Sequence, residues 1–446
     1  MGACCNSRLE YLENLEYKSK TELFIQERDR SGRVITKIPI SFDLTSPCDQ
    51  NCTVADMLKT KFRLSGCVLP GLDPRGECDK DCQDTFALMI KDNSLLSILF
   101  DGHGKDGRRV ALFCRDYMLN YFHKFYENFE QDPSTAIEEM VEGCDSALYG
   151  SGLECNLSGT TAVILVINPL GIHAGSIGDS RAILATIPKS NSFISPEPRK
   201  QTLYRRQVLP NRVLNSVQLT VDQKPNHEEE LKRIRSCGGV VEKLADDFGR
   251  PIGPYRVWKK NGNLPGLAMS RSIGDRIAHE IGVISTPICH TFTLYPSFDQ
   301  FIVMASDGVW DVMDNFEVAN FVEKFRKSSQ NSNNGFPAKT SNSTMARLLC
   351  EEARFRWFGV VEEEDVMIDD ISCVIIEIGF GGLVESDEKM NVVERKVDKF
   401  KSIVIEGGVK SNTGNAVRKD PTRGSMATGE SEIEDALREL QSEEGK

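Results

Sequence analysis

The chain has 446 residues, of which 40% are hydrophobic and 27% are charged, a composition typical of a globular protein with a large core. Its formal net charge of −12 argues against general nucleic-acid binding, for which a basic face is expected. No run of about 20 apolar residues predicts a membrane-spanning helix, and no apolar secretory signal is apparent near the N-terminus. The 14 cysteines include no C-x-x-C pair, which favours reduced thiols in a cytosolic protein.

Residues 1–58 are predicted to form a charged leader with little core material. Beyond the leader, short runs rich in Ile and Val that end in Gly, Asp or Asn predict strands over 95–100, 161–167, 172–177, 181–187, 301–305 and 371–378. Apolar residues at helical spacing predict helices over 133–148, 227–237 and 315–325. Because the strands mostly follow one another, with the helices in separate blocks, this order favours an α+β architecture.

Three segments interrupt the pattern. Residues 187–218 form an insertion with six Lys or Arg residues against Glu197 alone, which suits either a solvated loop or a surface that attracts acidic substrates or anionic lipid. Residues 327–344 are polar and low in complexity, which predicts a surface loop. Residues 382–446 are charged and rich in Gly and Ser, which predicts a mobile C-terminal tail.

Aspartates lie at the ends of four predicted strands, usually beside glycine. Asp101, Asp179 and Asp307 follow strands, whereas Asp369 and Asp370 immediately precede one. A single Asp-Gly pair is an ordinary turn, but four cases that are distant in sequence predict a cluster at one edge of a sheet core. Like charges at close range raise one another's pKa values, so such a cluster requires either protonation or a bound cation.

The chemistry of this cluster favours a hard divalent cation. Oxygen ligands without a thiolate or a histidine cluster are typical of Mg²⁺ or Mn²⁺ rather than zinc. Two such ions can share a bridging hydroxide, which is a strong nucleophile toward phosphorus. His103 lies two residues after Asp101, where an imidazolium could protonate a departing alkoxide. For an isolated histidine, a hydrogen-bonded position in a turn would be the simpler interpretation.

Nine motifs extend this interpretation across the chain, and they occur in the order KDCQDTF, LFDGHG, SGTTAVILVI, GSIGDSRAIL, LTVDQKPNHEEELKRIRSCGGVV, PGLAMSRSIGD, GVISTP, DQFIVMASDGVWDVM and DDISCVII. Each motif alone is weak, because DG and GD are common turns. Together, over roughly residues 65–380, they resemble the metal-dependent protein serine/threonine phosphatases of type 2C, the PPM family.

The resemblance implies a sandwich of two antiparallel β-sheets flanked by α-helices on both faces, with a binuclear metal site at one end. It implies a monomeric catalytic domain over 59–381 that includes the insertion. The implied activity is hydrolysis of phosphoserine and phosphothreonine in proteins by a hydroxide that bridges two Mg²⁺ or Mn²⁺ ions, with a third, weaker ion nearby. A phosphoprotein-binding module, either a pseudophosphatase or a membrane scaffold, is the alternative.

The resemblance also assigns roles to individual residues. Asp101 would bridge both metals, with the Gly102 carbonyl as a further ligand. Asp307 and Asp369 would complete the first metal site, and Asp179 would hold the third ion together with Asp307.

Two further roles concern groups around the metals. Asp84 would orient metal-bound waters, and His103 would be the general acid. Asp275, in the motif AMSRSIGD, would either contact the metal ligands from behind or be structural, rather than bind a metal directly.

The chain departs from the family pattern in two places. Gln83 stands where many members have glutamate, although its amide could still hydrogen-bond a water. Asp79 stands where many members have an arginine that binds the substrate phosphate. Arg75 and Lys80 are the nearest replacements, and Arg75 offers the bidentate fork that suits phosphate. The alternative is that both are ordinary surface cations.

The first residues, MGACCNSR, resemble an N-myristoylation signal with Asn6 in place of the usual Ser or Thr. A single myristoyl chain gives only marginal membrane binding, with a partition constant of about 10⁴ M⁻¹. Cys4 and Cys5 are candidate palmitoyl acceptors that would supply the second chain needed for stable anchoring. The sequence therefore predicts acylation at Gly2 and a location on the cytosolic face of a membrane, most simply the plasma membrane; a disordered start and a cytoplasmic location are the alternatives.

Overall fold

The computed structural model describes residues 21–28, 34–40, 62–72, 81–92, 94–188, 214–260, 262–331, 345–360, 367–378 and 402–409. The strands, in chain order, are β1 (Thr21–Arg28), β2 (Val34–Ile40), β3 (Phe62–Leu69), β4 (Thr85–Lys91), β5 (Ser94–Phe100), β6 (Gly102–His103), β7 (Gly159–Thr160), β8 (Ala162–Asn168), β9 (Gly171–Ile177), β10 (Arg181–Thr186), β11 (Asn215–Gln218), β12 (Gly239–Ala245), β13 (Pro251–Lys259), β14 (Pro265–Leu267), β15 (Ile273–Gly274), β16 (Ile288–Phe292), β17 (Asp299–Ala305), β18 (Ile371–Ile378) and β19 (Ser402–Val409). The helices are α1 (Gly107–Lys124), α2 (Tyr126–Gln131), α3 (Pro133–Gly150), α4 (Glu228–Ser236), α5 (Arg276–His279), α6 (Asp307–Trp310), α7 (Asn315–Asn331) and α8 (Met345–Val360).

Two antiparallel sheets face each other at the centre of the fold. The larger sheet has the strand order β16-β9-β8-β5-β4-β19-β1-β2, and the smaller has the order β11-β10-β17-β18-β3. Helices α1 and α3 cover the outer face of the larger sheet, whereas α7 and α8 cover the smaller one. The predicted α+β sandwich with helices on both faces is therefore confirmed.

The predicted strands are continuous apolar runs because their side chains point alternately into two different cores. In β4, Phe86 and Leu88 enter the core between the two sheets, whereas Ala87 and Met89 enter the core beneath α1 and α3. Successive side chains of a strand point to opposite faces, so a central strand of this sandwich is buried on both faces and is mostly apolar. All seven residues of β5, β8 and β9 are accordingly buried.

The predicted elements agree with the structure apart from their limits. The six predicted strands correspond to β5, β8, β9, β10, β17 and β18, and the three predicted helices correspond to α3, α4 and α7. Helix α7 continues to Asn331, so the first five residues of the predicted loop 327–344 are helical. No Gly or Pro interrupts the chain before Gly335, which explains why the helix runs on. The long helices α1 and α8 were not predicted.

The larger sheet extends beyond the predicted limits of the catalytic domain. Strand β19 pairs with β4, β1 pairs with β19, and β2 pairs with β1. The regions predicted as a leader and a mobile tail thus contribute strands β1, β2 and β19 to the sheet. These strands lie outside the predicted catalytic domain, 59–381. Their short apolar runs lie in charged surroundings, so composition alone does not reveal that backbone pairing includes them.

The predicted basic insertion is described only at its ends. Its last residues form β11, which pairs with β10 at the edge of the smaller sheet, and Leu214 before it is buried. The residues between 188 and 214 lie outside the described ranges. None of the helices in the described residues has the length and apolar character that crossing a membrane requires.

Candidate active site

Five aspartates converge at one end of the sandwich. Asp84 precedes β4, and Asp101 directly follows β5 in the larger sheet. Asp179 lies just after β9, Asp307 begins α6 after β17, and Asp369 lies just before β18. The other four carboxylates all act electrostatically on Asp101, although up to 285 residues separate them in sequence. The predicted cluster of strand-end aspartates is therefore present.

The electrostatics of the cluster are unfavourable without a cation. Burial is the main cause that raises the pKa of Asp101 and of Asp307 well above the ordinary value, even though both residues keep partial contact with solvent. Repulsion from neighbouring carboxylates adds to this effect for both residues. Burial and the charge of Asp370 raise the pKa of Asp84 to about 7.

Several carboxylate oxygens of the cluster have no hydrogen-bond partner among the described residues. The Oδ1 atoms of Asp179 and Asp307 are buried and unpaired. Both oxygens of Asp84 lack a well-aligned partner, although the hydroxyls of Ser372 and Ser306 act on this carboxyl. Buried polar atoms nearly always have a hydrogen-bond partner, so these oxygens indicate a place where cations bind. A set of hard oxygen donors without thiolates fits Mg²⁺ or Mn²⁺. No three His, Cys, Asp or Glu side chains of the described ranges already have metal-coordination spacing.

The backbone around Gly102 explains why glycine follows Asp101 at the end of β5. The Gly102 N–H donates to the Gln83 carbonyl at 3.3 Å, and a Cβ at position 102 would lie 2.6 Å from the Gly107 carbonyl oxygen. Only glycine fits this close backbone approach. The Gln83 side-chain amide donates to the Gly104 carbonyl at 2.7 Å, so it braces the loop.

The two adjacent aspartates before β18 have different partners. The carboxylate of Asp370 accepts hydrogen bonds from the backbone N–H groups of Gly71 and Gln83, the latter at 2.8 Å. Asp370 therefore joins the segments that lead into the site. The Asp369 carboxylate accepts the Asp370 N–H at 2.8 Å and acts electrostatically on Asp101 and Asp307. Asp369 is therefore the member of the pair that acts on these two carboxylates of the cluster, and its role as a metal ligand stays a prediction.

His103 is paired with Asp275, which is 172 residues away in sequence. The His103 Nε2 atom lies 2.5 Å from Asp275 Oδ2, and Asp275 is almost fully buried. Burial disfavours the charged imidazolium, but the carboxylates of Asp275, Asp179 and Asp369 together favour it, so the pKa of His103 is raised. The Nδ1 atom of His103 is buried and has no partner among the described groups. The pairing gives His103 a buried carboxylate partner on a distant segment of the chain.

A small sheet brings His103 and Asp275 together. It has the order β15-β7-β6, in which Gly159 lies opposite both His103 and Gly274. A side chain at Gly159 would collide with the Asp275 carboxylate, so glycine leaves the gap through which Asp275 reaches the imidazole. The Asp275 N–H donates to the Ser158 carbonyl at 3.0 Å, which fixes the residue in its left-handed conformation.

Lys224 is a site residue that the sequence reasoning missed. Its Nζ atom lies 2.5 Å from Asp179 Oδ2, and burial lowers its pKa less than the neighbouring carboxylates raise it. The only signal was its place in the motif LTVDQKP, which does not reveal the contact. Arg75 and Lys80, the candidate phosphate-binding residues, lie outside the described residues and remain predictions. The same holds for Gly2, Cys4 and Cys5.

The family model for protein phosphatase 2C matches residues 90–355. The chain belongs to the protein phosphatase 2C family. Three of the five aspartates, Asp101, Asp179 and Asp307, lie within the matched segment. His103 and Asp275 also lie within it.

Curated relatives of this family in plants support the assignment. The chain is 30% identical over 338 residues to probable protein phosphatase 2C 64 of Oryza sativa subsp. japonica, covering 74% of this chain and 68% of that protein. It is 31% identical over 324 residues to probable protein phosphatase 2C 52 of Arabidopsis thaliana, covering 65% of this chain and 60% of that protein. The chain thus spans about three fifths of the length of the second relative.

A solved structure supports the fold. The serine-threonine phosphatase 2C from Toxoplasma gondii superposes with a TM-score of 0.53 and 18% sequence identity, over 71% of this chain and 95% of that one. At this identity the similarity concerns the fold alone. It agrees with the phosphatase 2C sandwich described above.

The raised pKa of Asp84 predicts how the metal-free phosphatase 2C fold depends on pH. Its pKa rises from the ordinary value of 3.8 to about 7, so between these values the folded state holds a proton that the unfolded state releases. The associated stability is complete below pH 3.8 and is lost as the pH rises through 7. In EDTA, the free energy of unfolding should therefore fall between pH 5 and 7. Asp84→Asn should reduce this slope by up to about 1.4 kcal/mol per pH unit.

Urea unfolding at pH 5, 6 and 7 measures the effect. Asp247→Asn is the matched control, because Asp247 is exposed in the turn between β12 and β13. This control should keep the wild-type slope. An unchanged slope in Asp84→Asn would contradict the predicted proton uptake.

Proposed function

We propose that this chain is a Mg²⁺- or Mn²⁺-dependent protein phosphatase that hydrolyses phosphoserine and phosphothreonine. The observation that carries the proposal is the buried carboxylate cluster with unpaired oxygens, which lies at the same end of the sandwich as the pair His103–Asp275. Membership of the phosphatase 2C family supports the same reaction. An acidic site repels a phosphate dianion, so turnover requires cations to neutralise the cluster.

In the proposed site, Asp101 and the Gly102 carbonyl would hold the metals, together with Asp307 and Asp369 at the first position. Asp84 would orient water near the ions, and Asp179 would contribute to a third, weaker position. When bound, such cations withdraw charge from the phosphate and lower the pKa of the water that attacks phosphorus. The number of ions is part of the proposal.

His103 would supply the proton for the leaving group. Asp275 holds one ring nitrogen and favours the imidazolium, which leaves Nδ1 as the nitrogen without a protein partner. A serine or threonine alkoxide is strongly basic, so proton transfer to it lowers the barrier substantially. The buried Asp275 carboxylate would keep the imidazole oriented through the reaction.

One feature favours the alternative of a phosphoprotein-binding module with little activity. Asp79 stands where many family members have the phosphate-binding arginine. Arg75 or Lys80 would supply that contact in an active enzyme. A turnover assay with purified protein, Mn²⁺ and a phosphopeptide separates the two functions, because a binding module would bind the peptide and release no phosphate.

Asp307→Asn tests the metal cluster. The substitution removes a charge from the proposed first metal position, so phosphopeptide turnover should fall by roughly two orders of magnitude or more. EDTA should abolish wild-type turnover, and Mn²⁺ or Mg²⁺ should restore it. Asp247→Asn should behave as wild type. Full activity of a correctly folded Asp307→Asn protein would exclude the assigned role.

His103→Gln tests the proton donor. A serine alkoxide needs protonation, whereas p-nitrophenolate leaves readily without it. The variant should therefore lose about 10²-fold or more in kcat on a phosphoserine peptide and much less on p-nitrophenyl phosphate. Both rates are measured at saturating Mn²⁺ on the same preparation. Equal losses on the two substrates would rule out general-acid catalysis by His103.

We further propose that N-terminal acylation tethers the protein to the cytosolic face of a membrane. The sequence MGACC supports this proposal, since Gly2 can accept myristate and Cys4 and Cys5 can accept palmitate. A second acyl chain contributes about 0.8 kcal/mol per buried CH₂, enough for stable anchoring.

Gly2→Ala should make the protein soluble, because myristoylation brings the two cysteines to membrane-bound acyltransferases. The double variant Cys4→Ser, Cys5→Ser should show weak, reversible membrane association. Fractionation of cells that express the 446-residue chain measures both outcomes. Membrane recovery of Gly2→Ala at the wild-type level would refute the anchor.

A further inference from the structure

A lysine ammonium lies against the carboxylate that is proposed to hold the weakest metal ion. The Nζ atom of Lys224 is 2.5 Å from Asp179 Oδ2, and the side chain of Asp179 is only 2% exposed. The other oxygen of Asp179, Oδ1, is buried and has no partner among the described residues. Oδ2 of Asp179 is thus paired with the lysine ammonium, whereas Oδ1 has no cation beside it among the described residues.

The loop that carries Lys224 is held firmly to the strand beside it. Arg181 donates two hydrogen bonds to the Asp222 carboxylate, at 3.0 and 2.6 Å. The Gln223 N–H donates to the Gly178 carbonyl at 2.8 Å, and the Gln223 carbonyl accepts the Ser270 N–H at 2.9 Å. These contacts tie residues 222–224 to the segment that contains Asp179, so Lys224 is positioned by the backbone.

Carboxylates surround the Lys224 ammonium, as they would surround a bound metal ion. Besides Asp179, the carboxylates of Asp307 and Asp311 act electrostatically on the ammonium. Asp179 and Asp307 are the two residues proposed to share the third cation. Burial and the repulsion from Asp179 raise the pKa of Asp311, whereas Lys224 opposes that rise. The ammonium therefore lies among the carboxylates that a third divalent cation would need.

We propose that Lys224 is a built-in counter-ion that competes with a divalent cation for Asp179. The proposal rests on the metal-dependent function proposed above. An ammonium and a divalent ion cannot both approach this carboxylate without mutual repulsion. Binding of the third ion is then opposed by the charge of the lysine ammonium, which weakens that ion relative to the other two. Lys224 thereby limits how many ions the cluster holds at a given concentration.

The test measures Mn²⁺ binding directly, without substrate. Free Mn²⁺ is followed by electron paramagnetic resonance as it is titrated into the 446-residue chain at constant pH. Lys224→Met and Lys224→Gln should bind the weakest Mn²⁺ about tenfold more tightly than wild type, a factor within the usual range of coupling between sites. Lys224→Arg should bind as wild type does, since it keeps the charge.

Two controls locate the effect. Adding Asp179→Asn to Lys224→Met should remove the tighter binding, because the contested carboxylate is then neutral. Lys232→Met should leave the isotherm unchanged, since Lys232 pairs with Glu228 and Glu229 on the exposed face of α4. In EDTA, Lys224→Met should also melt at a lower temperature than wild type, and Mn²⁺ should close that difference.

Several results would overturn the proposal. If Lys224→Met and Lys224→Gln both bind Mn²⁺ as wild type does, no competition exists. The same conclusion holds if neither the variants nor wild type bind Mn²⁺. A higher KM for phosphopeptide with an unchanged isotherm would make Lys224 a phosphate contact instead. Tighter binding that persists without the Asp179 charge would place the competition elsewhere. A wild-type protein that binds Mn²⁺ but releases no phosphate would refute the proposed function and leave the role of Lys224 to be read from the isotherms.

Discussion

Mutual repulsion among buried carboxylates is the constraint on which the functional end of this protein depends. Five aspartates from both sheets meet where water is largely excluded, and the pKa values of Asp84, Asp101 and Asp307 rise as a result. The fold cannot satisfy these groups with its own hydrogen bonds, because several of their oxygens remain unpaired among the described residues. A structure that keeps such a cluster is suited to hold cations.

The sandwich is what keeps the repelling groups together. Each aspartate is fixed to the end of a strand, and the central strands are buried on both faces by the opposite sheet and by helices. Moving one carboxylate away would require moving an entire packed strand, at the cost of many contacts in a densely packed interior. The stability of the apolar core therefore offsets the strain of the charged end, a common arrangement at functional sites.

The cationic side chains near the cluster are each held by a carboxylate of their own. Asp275 pairs with His103, Asp222 pairs with Arg181, and Asp179 pairs with Lys224. Buried charges are tolerated when they are paired, so each partner allows a positive group to remain close to the site. These ion pairs hold the three positive side chains beside the cluster.

The sequence by itself determined the alternation of strands and helices, the aspartates at strand ends and the family, because these depend on local periodicity and on motif order. It did not reveal that Asp370 ties two loops, that Asp275 reaches His103 across Gly159, or that Lys224 contacts Asp179. Nor did it reveal that β1, β2 and β19 extend the larger sheet. These contacts join residues far apart in the chain, and no local pattern specifies a distant partner. Only the packing of the two sheets decides which strand ends meet, and therefore which charges face one another.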